Sequence, residues 1–89
     1  MPLKRSDLDQ AVRYLQHARV LLEGLPGAKT RAIRDVLDLA IRRLSPGDFH
    51  AGDAAAEITA LRAVAGKVTG EARTDILKAV AILTDRGGG

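Results

Sequence analysis

The sequence predicts an all-α protein: a compact bundle of four short helices arranged as two helical hairpins. Three observations carry that prediction. No stretch alternates apolar and polar residues as a half-buried strand does. Four stretches repeat apolar residues every three to four positions, the period of an amphipathic helix. Gly and Pro cluster between those stretches, at Gly24-Leu25-Pro26-Gly27, Ser45-Pro46-Gly47 and Thr69-Gly70.

The first helix is predicted over Asp7–Glu23. Ser6 is placed as its N-cap, with Asp9 three residues on as a capping-box partner. At about 100° per residue, Leu8, Ala11, Leu15, Ala18, Leu22 and Leu25 share one arc, while Gln10, Arg13, Gln16 and His17 lie opposite. Gly24 takes the left-handed position that commonly ends a helix. The second helix is predicted over Ala28–Leu44, with Ile33, Val36, Leu37, Ala40, Ile41 and Leu44 as its apolar face. Its outer face spaces Arg31–Asp35, Arg34–Asp38 and Asp38–Arg42 at i,i+4, pairs worth a few tenths of a kcal/mol each.

The stretch "SPGDFHAGD" is the longest expected loop. The third helix is predicted over Ala54–Val68, capped by Asp53, with Ile58, Leu61, Val64, Ala65 and Val68 inward. Ala56, Ala60 and Ala63 take its far side, where an alanine surface lets another helix approach closely. The fourth runs over Glu71–Asp85 behind Thr69, a candidate N-cap. Ile76, Ala79, Val80 and Leu83 face one way, and Leu77, Ala81 and Ile82 point elsewhere. A helix apolar nearly all round is either central or meets another chain. One domain over residues 1–86 and a flexible Gly tail at 87–89 are expected.

Composition narrows the function classes. The 89 residues are 46% apolar and 28% charged, which suits a folded domain rather than a disordered one. There is no Cys, so neither disulfides nor thiolate metal sites hold the fold. So short a chain buries a modest fraction of its surface, which makes self-association or a partner a reasonable source of further stability. Apolar runs are far shorter than the ~20 residues a bilayer needs, so no membrane partner is expected. "MPLKRSDLDQ" lacks the apolar core of a signal peptide, and a cytoplasmic location is the expectation.

Net charge is +3, unevenly placed: residues 1–47 carry 9 basic and 5 acidic residues, whereas 48–89 carry 5 and 6. Within the basic half, "LPGAKTRAI" resembles the hairpin of helix-hairpin-helix DNA-binding domains. The resemblance implies phosphate contacts from Lys29, Thr30 and Arg31, supported by Arg34. That family's motif carries two glycines one residue apart, and here Gly24 and Gly27 stand three apart. The spacing favours a plain corner between helices.

Sites for chemistry are sparse. His17 is read as a surface residue, with no acid or His at i±4. Asp48, His50 and Asp53 match no metal-site spacing, no Glu is followed by a His three residues on, and no metal or cofactor is expected. Neither a nucleophile with its base nor a phosphate-binding Gly loop can be assembled, so an enzyme and a small-molecule substrate are not expected. Arg19 and Arg62, near apolar arcs, are expected to lay their stems along the core with their charges outward, or else to mark the rims of an interface, where Arg is favoured.

The expected function is therefore a non-enzymatic interaction module, accessory or regulatory. It would form a homo-oligomer, a dimer first of all, or dock to a protein partner, through Leu77, Ala81, Ile82, Ala60 and Ala63. The alternative is a small nucleic-acid-binding protein that uses Lys29, Thr30, Arg31 and Arg34.

Overall fold

Four helices form, in a computed structural model that describes residues 5–44 and 51–87: α1 (Arg5–Glu23), α2 (Ala28–Leu44), α3 (Ala51–Ala65) and α4 (Gly70–Gly87). Leu8, Leu15, Leu37, Leu44, Leu61, Ile76 and Leu83 are fully buried along the inner stripes of all four. Each such side chain contributes about 1.5–3 kcal/mol by leaving water.

The helices pack as a ring. α1 meets α2 and α4, and α3 meets α2 and α4, while among the described residues the diagonal pairs do not touch. The tightest contact joins the first helix to the last. Its cause lies in small residues: Ala11 and Ala18 of α1 and Ala72 and Ala79 of α4 are all buried, so the two backbones come close. The two expected hairpins are present as α1–α2 and α3–α4, and α2 against α3 is the loosest contact. The Cα radius of gyration is 12.1 Å, the value of a compact domain of this length.

The α1–α2 corner is built differently from expectation. Gly24 does not take the left-handed conformation. The helix instead tightens into a last turn in which Leu25 N donates to Leu22 O (3.2 Å), and Arg34 Nη1 reaches back to donate to Glu23 O (3.0 Å). The left-handed residue is Gly27, at φ 116°, whose carbonyl accepts the first hydrogen bond of α2 from Arg31 N (3.1 Å). Leu25, past the helix end, is exposed rather than on the apolar arc.

That geometry separates two substitutions. Gly27→Ala is expected to cost about 1–2 kcal/mol, because a Cβ is strained at this φ even with open space around it. Gly24→Ala is expected to be neutral or to stabilise slightly, because its φ suits any residue and nothing lies within 4 Å of the added Cβ. Urea unfolding of both variants checks this; equal effects would contradict the corner.

Other boundaries shift by a turn or less. α1 starts at Arg5, so Ser6 is inside the helix and is not its cap. α3 starts at Ala51 and takes in Asp53, because four alanines in its first six residues favour helix strongly. It ends at Ala65, with Lys67 N closing a turn onto Val64 O (2.9 Å). α4 begins at Gly70, left-handed at φ 70° just after Thr69, and runs through Gly87, which takes in the first residue of the expected tail. Phe49, His50 and Asp48 lie outside the described residues.

Candidate interaction site

The loose α2–α3 contact is where the surface opens. The helices run antiparallel, since Arg43 of α2 meets Glu57 of α3 near one end and the first turns of α2 face Val64 and Lys67 at the other. Arg43 Nε and Glu57 Oε1 are 3.2 Å apart, and Glu57 is only 5% exposed. At the far end lies a cleft of about 380 Å³, lined by Lys29, Ala32, Ile33, Val36, Val64 and Lys67. Its floor is aliphatic, and two lysines stand on its rim.

On α2 the stripe that lines the cleft runs on past it. Ala32, Val36 and Leu39 follow at i, i+4 and i+7, one stripe of a helix. Leu39 is 52% exposed, among the most open large apolar side chains of the described residues. Opposite, Ala60 sits three residues after Glu57 and four before Val64, so it shares their α2-facing edge. It is exposed, as is Ala63, which lies about 100° from Val64 on the outer side of α3.

The residues expected to form an interface on α4 and α3 are therefore split. Leu77 is 43% exposed, and Ala81, one turn on, is exposed beside it. Ile82 is half-buried against the core. Five residues at about 100° each set it about 140° from Leu77, so the two share no face. Ala60 belongs to the α2–α3 edge, whereas Ala63 lies on the outer side of α3.

The basic corner does not converge either. Lys29 is exposed at the cleft, Thr30 is half-buried, and Arg31 is exposed. Two helical steps place Lys29 and Arg31 about 160° apart around α2. Arg34 is occupied at the Glu23 carbonyl. The expected i,i+4 pairs on α2 give way to contacts between helices: Asp38 Oδ1 accepts from Arg19 Nε of α1 at 2.8 Å. Arg19 thus reaches a neighbouring helix, whereas Arg62 is exposed.

A second polar group joins α1 and α4. His17 Nδ1 donates to Asp75 Oδ2 at 2.5 Å, and Asp75 is 8% exposed. One turn away, Lys78 Nζ stands 5.4 Å from the centre of the Tyr14 ring. Gln10, Arg13, Tyr14, His17 and Asp75 line a shallow depression of about 330 Å³. A buried carboxylate on Nδ1 orients an imidazole as a general base requires, but among the described residues no Ser, Thr or Cys lines the depression to serve as nucleophile. The pair ties the first helix to the last across 58 residues of chain. Its signal was absent from the sequence because the partner lies on another helix. Glu57 was likewise invisible as a buried acid. Among the described residues no three His, Cys, Asp or Glu groups gather to hold a metal ion.

No helix among the described residues is long and apolar enough to cross a membrane. No protein-family model, curated protein or solved structure matches the chain.

Proposed function

We propose that this chain is a non-enzymatic helical interaction module, an accessory or regulatory protein that docks to a protein partner or to its own copies. The observation that carries the proposal is the α2–α3 edge, where an aliphatic cleft opens and Leu39, one turn on from the cleft-lining Val36, stands half in water. Exposed apolar surface continuous with a cleft is what a docking helix covers. Leu77 and Ala81 on α4 supply a smaller apolar patch, the one suited to self-association. A cytoplasmic setting belongs to the same proposal.

Affinity capture with the tagged chain and its Leu39→Glu variant tests this, with mass by light scattering alongside. The expected result is a protein retained by the wild type and lost by the variant, with the helical circular-dichroism signal unchanged. For self-association the corresponding expectation is a dimer that Leu77→Glu dissociates. Identical capture by both chains, from a monomer indifferent to Leu77→Glu, would sink the reading.

Nucleic-acid binding is the second reading. It is favoured by Lys29 and Arg31, which are exposed and make no ion pair among the described residues. It predicts binding that falls steeply with salt and disappears in the Lys29→Glu/Arg31→Glu double variant, read by electrophoretic shift across a salt series.

A further inference from the structure

We infer that the α2–α3 groove is a receptor for one amphipathic helix whose outer face is acidic, carried by another protein. This rests on the interaction-module reading and names the partner's chemistry. Three features select that occupant. The first is length. From Lys29 to Val36 the cleft spans about 10 Å of α2 at 1.5 Å per residue, room for about two turns of a docked helix to be held. The second is relief. Ala32 and Ala60 are small and exposed on opposing edges, so a helix can settle between α2 and α3, with Val36 and Leu39 meeting its apolar stripe. The ring is loosest at this edge.

The third feature is charge. Lys29 and Lys67 flank the cleft from both helices, and neither makes an ion pair among the described residues. At the other end Glu57 is already held by Arg43, so its carboxylate offers nothing to a cationic partner. The groove therefore presents uncompensated positive charge at one end and a neutral pair at the other. A second copy of this chain docked groove to groove fits poorly, because it would bring lysines against lysines. Carboxylates beside Lys29 and Lys67 fix both the sign and the direction of the docked helix.

The test uses fluorescence anisotropy with a labelled synthetic helix of about 15 residues, Leu on one face and Glu elsewhere. Two controls accompany it: the same peptide with Lys for Glu, and a scramble of the Leu/Glu composition without an apolar face. The wild-type chain is expected to bind the acidic helix in preference to both. Lys29→Glu/Lys67→Glu is expected to weaken it by about tenfold or more and to favour the Lys peptide. Leu39→Glu is expected to abolish binding, with Leu39→Gln standing in if that chain does not fold. Equal binding of helix and scramble, or an affinity unmoved by the double lysine variant, overturns the inference. So does displacement of the peptide by dodecanoate while Leu39→Glu has no effect, which would make a small apolar anion the occupant. If the groove variants leave peptide binding and cellular capture intact while Leu77→Glu removes capture, the groove assignment falls and the interaction-module reading stands. If no variant alters capture, both fall.

Discussion

A Leu15→Ala variant is expected to lose about 3–5 kcal/mol of stability, read as a lower urea midpoint at unchanged slope. Leu15 is fully buried in the middle of α1, the helix that packs on both α2 and α4. Removing its isobutyl group forfeits the transfer free energy of the lost carbons and leaves a cavity. α1 cannot shift to fill that cavity on one side without opening it on the other. Among the described residues the one Phe, Tyr or Trp ring, that of Tyr14, is half-buried at the edge of the core and already engaged by Lys78. A domain this small has roughly 5–13 kcal/mol in total, so a substantial unfolded population is expected near physiological temperature. Leu39→Ala is the control. At 52% exposure it is expected to cost under about 1 kcal/mol, because little surface leaves water there on folding. A Leu39→Ala cost equal to that of Leu15→Ala would mean that the α2–α3 edge is closed, and the docking groove would go with it.

The contrast between those leucines also marks how far the sequence could be read. The inner stripes were legible because burial follows the helical period: Leu8, Leu15, Leu37, Leu61, Ile76 and Leu83 were all assigned inward and are all fully buried. The start of α2 was legible to the residue, since the left-handed Gly27 stands directly before it. The cap assignments failed at Ser6 and Asp53. The helices begin one and two residues earlier, at Arg5 and Ala51, and a cap contributes only about 1 kcal/mol towards fixing a start.

The candidate site was largely illegible. The groove is a property of two helices together, and the period of α2 alone gives Leu39 no role, since it lies outside the main apolar face. Ion pairing failed in the same way. Sequence spacing offers Asp38 two arginines on its own helix, yet the structure gives it Arg19 of α1. Pairs along an exposed helix are worth too little to hold a side chain that can reach a half-buried partner. His17 with Asp75 and Arg43 with Glu57 are likewise partners that only topology supplies.

Arg43→Ala is expected to cost about 2–4 kcal/mol, far more than the change would at an ordinary surface site. The side chain lost is itself half in water, at 53% exposure; the damage is done to its partner. Glu57 keeps its carboxylate at 6% side-chain exposure, and Arg43 Nε is the one cation within 4 Å of it among the described residues. Without that guanidinium a buried negative charge has lost its compensating charge and must draw in water or unfold the end of the α2–α3 contact. Arg42→Ala is the matched control. Arg42 and Arg43 both sit in the last turn of α2 and both favour its negative end, a contribution of about 0.3–1 kcal/mol that either substitution removes. The difference between the two variants in urea unfolding therefore isolates the Glu57 term. The double variant Arg43→Leu/Glu57→Leu is expected to return close to wild-type stability, because replacing both members of a buried pair by apolar groups removes the desolvation penalty with the attraction. Equal, small losses from Arg42→Ala and Arg43→Ala would mean that water already serves the carboxylate. The groove would then lack its neutral end, and with it the charge asymmetry that sets the direction of a docked helix.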